Sequence, residues 1–179
     1  MTESIQTPLI NEDLFKLHSP VTASTDITDF IPYICIAQEL YIEDVLGIAL
    51  TTELKEQITS NSLTEVNSNL IIHIAPALSF YAVYQALPFH WASIVNKGIT
   101  IRESENSKSV NINDISQLRR WIKDDADILR TQLIRFLKEC QSHYPLWQPS
   151  EQCRGTEVNN TGSDNQRFDS GFYFPTKKR

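Results

Sequence analysis

The side chains that could do chemistry are few in this chain and widely spaced. They include four histidines and three cysteines, namely His18, His73, His90, His143, Cys35, Cys140 and Cys153. None shows the CxxC or HxxxH spacing that brings two metal ligands together, and an odd number of cysteines predicts no disulfide framework. Cys35 and Cys140 fall on apolar helix faces and are predicted to be buried. His73, inside the most apolar segment, is interpreted as a core histidine. The sequence therefore predicts no metal site and no cofactor.

Catalytic patterns are equally scarce. The adjacent acids Glu43-Asp44 and Asp124-Asp125 lie on helix faces predicted to be exposed, and nothing resembles a nucleophile–base pair, a phosphate-binding loop or a carboxylate dyad. Asn160 matches a glycosylation motif, but the N-terminal residues lack the basic and apolar regions of a secretory signal. We expect that the protein is not an enzyme; an enzyme whose site is not recognisable from sequence is the third and weakest hypothesis.

Composition narrows the class of protein further. A length of 179 residues favours one domain, and 41% hydrophobic content is typical of a soluble one. No apolar run reaches the roughly 20 residues of a membrane span. The net charge is −6, and because residues 148–179 carry five basic and four acidic side chains, residues 1–147 carry −7. This balance argues against a protein that coats DNA.

Residues 70–101 form the most apolar segment, and the rest of the fold is expected to pack around it. Apolar residues are too dense for a one-sided stripe, which predicts a buried helix over residues 64–87 that ends at Leu87-Pro88. Pro76 implies either a kink or two helices that meet there. The β-branched runs on either side of Asn96-Lys97-Gly98 then predict a β-hairpin over residues 91–103 with a three-residue loop.

Three further helices complete the predicted body. They cover residues 27–46, with Pro32 in the first turn, residues 49–60, and a long stretch from Asn111 or Asn113 to Ser142. The long helix has a stripe of apolar residues on one face: Leu118, Ile122, Leu129, Leu133, Phe136 and Cys140. Its other face is charged, with possible pairs Arg120–Asp124, Lys123–Asp127 and Asp127–Arg130, and is either solvated or packed on a neighbouring subunit. Tyr144-Pro145-Leu146-Trp147 is expected to stop the helix and fold back on the core.

The predicted fold class is mainly α, a bundle of four to five helices with one β-hairpin insertion and extended N- and C-terminal arms. The predicted divisions are an arm over residues 1–26, a helical domain over 27–147 and a tail over 148–179. The hairpin either packs on its own helices or contacts another chain, and the aromatic end of the tail either docks on its own domain or, as we favour, anchors in a partner. The candidate interface residues are Ile94, Val95, Lys97, Ile99, Ile101, Phe168, Phe172, Tyr173 and Phe174.

Several short motifs occur in an order that resembles a known family. Ala37-Gln38-Glu39-Leu40-Tyr41-Ile42 leads to Val45-Leu46-Gly47, and is followed by Pro76-Ala77, Leu87-Pro88, Asn96-Lys97-Gly98-Ile99, the long charged helix and Tyr144-Pro145. This pattern, over residues 20–147, resembles the small head–tail connector proteins of tailed phages, especially those of Bacteroidetes.

The resemblance implies a structural virion protein, made in the host bacterial cytoplasm. Such connectors form neck rings, typically twelve-fold, between the portal protein and the other neck and tail rings. DNA passes through the lumen without sequence-specific binding, and no membrane is involved. The alternative hypothesis is a soluble cytoplasmic helical adaptor or regulatory protein that acts as a monomer or dimer.

Overall fold

The computed structural model describes residues 7–22, 25–95, 98–101 and 112–148. The architecture is mainly helical, as the sequence predicts. In chain order the helices are α1 (Glu12–His18), α2 (Ile31–Ala37), α3 (Glu43–Leu46), α4 (Ile48–Thr59), α5 (Glu65–Trp91) and α6 (Ile112–Glu139). A 3₁₀ turn covers Ile27–Asp29, a π-helical turn over Gln38–Ile42 joins α2 to α3, and a second 3₁₀ turn covers Gln141–His143.

Helix α5 is the centre of the body. Leu70, Ile74, Leu78 and Tyr81 are fully buried, and α2 and α6 pack along the helix. Pro76 lies inside one continuous helix, so the alternative of two helices that meet there is wrong. The helix also continues past Pro88 to Trp91, so the predicted end at Leu87 is wrong. A proline removes only one backbone donor, and the packing of α5 compensates for that loss.

The N-terminal segment differs from the predicted extended arm. Residues 12–18 form α1, because Asn11 accepts a hydrogen bond from the Leu14 amide and Glu12 and Asp13 stabilise the first turn. Phe15 is buried and packs on Phe30, with ring centroids 5.3 Å apart. The segment belongs to the hydrophobic core.

Buried Gln38 ties the same segment to the π-helical turn. The Leu9 amide donates to the side-chain oxygen of Gln38 over 2.8 Å, and the Gln38 amide donates to the Thr7 carbonyl over 3.3 Å. Leu9 and Ile10 are thereby held in the core. A glutamine suits this position because it supplies both a donor and an acceptor to a strand-like backbone.

Two short strands follow α5. Strand β1 (Ala92–Val95) pairs antiparallel with β2 (Gly98–Ile101), so that Ile94 is opposite Ile99 and Val95 is opposite Gly98. Since Gly98 is already paired, two residues separate the strands and the predicted three-residue loop is wrong. The two strands form an isolated pair within the described part of the chain.

The residues after α6 fold back on the body, which confirms the prediction for Tyr144 and Trp147. Both side chains are buried. The Tyr144 hydroxyl donates to the Val66 carbonyl over 3.0 Å, and the Trp147 indole N–H donates to the Val45 carbonyl over 2.8 Å. The hydrogen bond to Val45 is made where α3 ends, at a carbonyl that has no continuing helix ahead of it.

Helix α5 is long and apolar enough, over residues 65–90, to meet the length and composition expected of a membrane span. The sequence argument that no such run exists is therefore too strict. In the structure 61% of the most apolar window is buried inside the protein. This burial is typical of the core helix of a soluble domain.

Gly47 separates α3 from α4 in a conformation that other residues rarely adopt. Its φ is 80° and its ψ is 156°. A Cβ atom there would also collide with the Gln148 carbonyl oxygen and lie 2.9 Å from the carbonyl carbon. Both the backbone conformation and the nearby chain therefore require glycine.

We expect Gly47→Ala to lower the free energy of unfolding by about 2 kcal/mol or more, because it adds backbone strain and a steric clash. Urea denaturation followed by circular dichroism measures the loss. The control is Ile48→Ala, next in sequence and 74% exposed, which should change stability by less than about 0.5 kcal/mol. Equal stability of the two variants would contradict the proposed role of Gly47.

Candidate subunit-contact surface

Helix α6 has one buried face and two flanks of different chemistry. The buried face consists of Ile122, Ala126, Leu133 and Leu137, with Leu129 and Phe136 partly buried beside it. This overlaps the predicted stripe at Ile122, Leu129, Leu133 and Phe136. Ala126 and Leu137 were missed, and Leu118, predicted to be buried, is 42% exposed.

One flank is polar and bonded to α5 through Tyr81. The buried Tyr81 hydroxyl donates to one carboxylate oxygen of Asp127 over 2.5 Å, and the Lys123 ammonium donates to the other over 2.6 Å. Burial raises the pKa of Tyr81, and the hydrogen bond to Asp127 adds to the effect. Burial alone would raise the pKa of Asp127, but the bonds from Lys123 and Tyr81 outweigh it and hold that pKa below its usual value.

Arg119, on the same flank, donates the hydrogen bond that Pro88 cannot make. Pro88 has no N–H, so the Tyr84 carbonyl, four residues earlier, receives no helical hydrogen bond from it. The Arg119 Nε donates to that carbonyl over 3.2 Å. The Arg119 guanidinium also lies 4.1 Å from the centre of the Tyr84 ring, in a cation–π contact. Arg119 therefore fixes the start of α6 against the end of α5.

Tyr41 extends this network to the π-helical turn. Its ring stacks on Tyr81 with centroids 4.0 Å apart and planes 8° apart, and its hydroxyl accepts from the Gln85 amide over 2.7 Å. Burial raises the pKa of Tyr41. The Arg130 Nε approaches the Tyr41 carbonyl at 3.4 Å. The charged face of α6 was predicted to be either solvated or packed on a neighbour. Arg120 and Asp124 are exposed, in agreement with the first alternative, whereas Arg119 and Arg130 contact their own chain. The predicted Lys123–Asp127 pair is confirmed.

The opposite flank of α6 exposes three large apolar side chains, with Asp124 and Asp125 between two of them. We call it the α6 stripe, defined by Leu118, Trp121 and Ile128, of which the last two are each 58% exposed. Their spacing of three and seven residues places them on one side of the helix. Sequence reasoning did not assign Trp121 or Ile128. The signal was present in the seven-residue spacing, although exposed Asp124 and Asp125 lie between the two side chains on the same side of the helix.

Exposed Ile36 and Leu40 form a second apolar surface, on the helix that runs from α2 into the π-helical turn. We call it the α2 patch. A spacing of four residues brings the two side chains together on one helix face. The α6 stripe contains a tryptophan, whereas the α2 patch contains aliphatic side chains alone.

The predicted interface residues are only partly described. The structure gives the backbone register of Ile94, Val95, Ile99 and Ile101, with Ala92 opposite Ile101. Lys97, Phe168, Phe172, Tyr173 and Phe174 lie outside the described residues, as does Cys153. The structure therefore brings together the isoleucine pair Ile94 and Ile99 and leaves the tail residues as predictions.

The candidate chemical residues do not converge. His73 is exposed and stacks on Phe136 with ring centroids 3.8 Å apart, so the interpretation as a core histidine is wrong. Its position on α5 faces the edge of α6 rather than the interior. Cys35 is buried as predicted, and burial raises the pKa of its thiol. Within residues 7–22, 25–95, 98–101 and 112–148, no three potential metal ligands from His, Cys, Asp and Glu come together.

Residues 42–157 match a family described as "Family of unknown function (DUF6712)". The chain belongs to this family. The matched region is more than half of the sequence and includes α4, α5, both strands and α6. No curated protein and no solved structure matches the chain. The matched region of this chain includes Tyr81 and the α6 stripe, whereas Tyr41 lies just before it, and the family description assigns no activity.

The Tyr81–Asp127 bond is expected to stabilise the α5–α6 packing. Tyr81→Phe should cost about 1 kcal/mol, and a double-mutant cycle with Asp127→Ala should give a coupling energy of about 1 kcal/mol. We take the low end because nearly half of the Asp127 side chain is exposed. Urea denaturation at neutral pH measures all four proteins.

The contribution of Asp127 to the free energy of unfolding depends on pH, and its lowered pKa gives the direction of that dependence. Because folding lowers the pKa of Asp127 from 3.8, its contribution is present above that value and is lost as the pH falls through the lowered pKa. The difference between the wild type and Asp127→Ala should therefore shrink in acid. Exposed Asp124→Ala is the matched control, and a zero coupling energy would contradict the role of the bond.

Proposed function

We propose that this protein is a structural subunit of a head–tail connector ring in the neck of a tailed phage. In this proposal it is made in the host bacterial cytoplasm, acts in the virion without catalysis, and allows DNA to pass through the ring. The order of the sequence motifs supports this proposal, because it resembles the order in head–tail connector proteins. The structural observation that carries the proposal is the exposed α6 stripe, a tryptophan and two aliphatic residues on a helix whose other flank is bonded to its own chain.

The α6 stripe has the composition of a protein contact. Exposed tryptophan is enriched among the residues that dominate binding energy, because it removes a large apolar area from water. The stripe is also rigidly supported, since Arg119 and Asp127 hold the other flank of α6 through Tyr84 and Tyr81. Little ordering is needed when a partner binds such a surface, which favours affinity.

A closed ring needs two different surfaces on each subunit. In a head-to-tail interface, one surface of a subunit contacts a different surface of the next copy. A surface that contacts the same surface on a second copy closes a dimer instead. The α2 patch supplies a second apolar surface for the α6 stripe to meet. We propose that the α6 stripe of one subunit packs on the α2 patch of the next, in a ring that the family resemblance suggests is twelve-fold.

The charge of the body agrees with a passive role toward DNA. Residues 1–147 carry −7, and an acidic wall repels phosphates rather than retaining them. In this proposal the hairpin residues Ile94, Val95, Lys97, Ile99 and Ile101 bridge subunits or contact an adjacent ring. Phe168, Phe172, Tyr173 and Phe174 reach the portal or another neck protein.

Trp121→Glu and Ile128→Glu should prevent ring assembly without loss of fold. Each places a charge in the proposed contact, and a cost of about 2 kcal/mol would weaken each interface about thirtyfold. The measurement is ring formation on purified portal protein, by mass photometry and electron microscopy. Lys138→Glu places the same side chain at an exposed position of α6 ten residues beyond Ile128 and outside the stripe, and should assemble normally.

Two outcomes would contradict this interface. Normal ring assembly by both stripe variants would exclude the α6 stripe as a contact. A wild-type protein that forms only a dimer, at any concentration and with portal present, would favour the alternative of a helical adaptor. The mass of the assembly therefore separates the two proposed functions.

The hairpin is tested by replacing its central cross-strand pair. Ile94→Thr with Ile99→Thr keeps a strand-favouring side chain at both positions and removes apolar surface. If the hairpin contacts a neighbour, ring formation should weaken by about tenfold, the effect of about 1.4 kcal/mol, with an unchanged thermal midpoint. A lower midpoint with normal assembly would show that the hairpin instead packs on its own helices.

A further inference from the structure

An open apolar groove lies at the end of the bundle where α5 finishes and α6 begins. It has a volume of about 560 Å³, and its walls come from residues 20–21 and 25–30, the last turns of α5 and the first turns of α6. Phe30, Val83 and Ile122, all nearly buried, line it together with Val21, Leu87 and Leu118. Its size and lining suit one or two aromatic side chains.

The groove has acidic residues beside its apolar walls. Asp26 and Asp29 are exposed and line it. Asp26 accepts a hydrogen bond from the Thr28 amide over 2.9 Å, which holds the pKa of its carboxyl below the usual value. A ligand for this groove should therefore be apolar and aromatic at one end and cationic at the other.

One segment of this chain has that composition. Phe172-Tyr173-Phe174-Pro175 is followed directly by Thr176 and then by Lys177-Lys178-Arg179. The aromatic residues match the apolar walls, and the basic residues match Asp26 and Asp29. Three consecutive aromatic side chains in a polar tail are otherwise exposed at a cost in free energy.

The tail is long enough to reach the groove of its own chain. Trp147 is bonded to the Val45 carbonyl, so the described chain ends beside α3. From there the path back to Phe30 spans sixteen helical residues, about 24 Å at 1.5 Å each. Residues 149–171 number 23, and a flexible chain of that length would have an average span of about 24–29 Å. Such a tether gives an effective concentration near millimolar.

We propose that residues 172–179 bind in this groove of the same chain while the subunit is free. The proposal does not depend on ring formation. In the connector function proposed above, the segment would leave the groove when a neck partner competes for it.

The test compares two full-length proteins for binding of a fluorescent peptide of residues 168–179. One is the wild type; the other carries Phe172→Ser, Tyr173→Ser and Phe174→Ser, which should empty the groove. Fluorescence anisotropy should show the peptide binding the triple variant at least about tenfold more tightly than the wild type, because the tethered tail competes with it. Added salt should weaken that binding, since part of it is charge attraction.

Asp29→Lys, made in the triple variant, tests whether the peptide binds in the groove. Asp29 is exposed, so the fold should persist, and peptide binding should weaken by about threefold to tenfold as one attractive charge becomes repulsive. Asp124→Lys, an exposed aspartate on α6 that does not line the groove, is the control and should bind the peptide unchanged.

Three results would overturn the proposal. They are no binding to the triple variant, equal binding to both proteins, and binding that Asp29→Lys leaves unchanged. A wild-type dimer that the triple variant does not form would place the tail in a second copy and would also overturn it. Ring assembly on portal protein is measured separately, so failure of the docking leaves the connector function untouched.

Discussion

The fold depends on side-chain donors that satisfy backbone carbonyls where helices are interrupted. Pro88 cannot bond the Tyr84 carbonyl, and Arg119 does so instead. Helix α3 ends at Leu46, and the Trp147 indole bonds the Val45 carbonyl beside that end. Unsatisfied carbonyls in a protein interior are costly. Because both donors come from α6 or from the residues after it, the second half of the chain completes the helices of the first half.

This arrangement determines which surface of α6 is left for other molecules. Arg119, Asp127 and Arg130 contact α5 or the π-helical turn, so one flank of the helix is held against its own chain. The opposite flank carries Trp121 and Ile128 with no comparable cover among the described residues. A π-helical turn beside this network agrees with the tendency of such turns to occur at functional positions. Here it orients Tyr41 toward Tyr81 and Gln38 toward the N-terminal segment.

The sequence predicted the helices of the body because their apolar periodicity is strong, and it predicted the return of Tyr144 and Trp147 because large aromatic residues after a helix seldom remain exposed.

Prediction from the sequence failed where long-range contacts outweigh local rules. Pro88 predicted a helix end, but Arg119, thirty-one residues later, supplies the missing bond. Residues 12–18 were predicted to be extended because so short a segment shows too little apolar periodicity to indicate a helix. His73 lies in an apolar run yet is exposed and stacks on Phe136, because apolar neighbours in sequence do not show which way one side chain of a helix faces. Trp121 and Ile128 were missed because periodicity identifies apolar faces without showing which of them stays uncovered.

Leu118 connects the two surfaces for which we propose roles. It belongs to the α6 stripe, and it also lines the groove at the end of the bundle. An aromatic segment in the groove would contact the same side chain that a neighbouring subunit contacts in the ring. The two binding events would then be coupled through competition for one residue, and linkage requires that each weaken the other by the same factor. A subunit whose tail lies in its own groove would join a ring less readily than one whose tail has bound a neck partner. On this argument the groove would delay assembly until that partner is present.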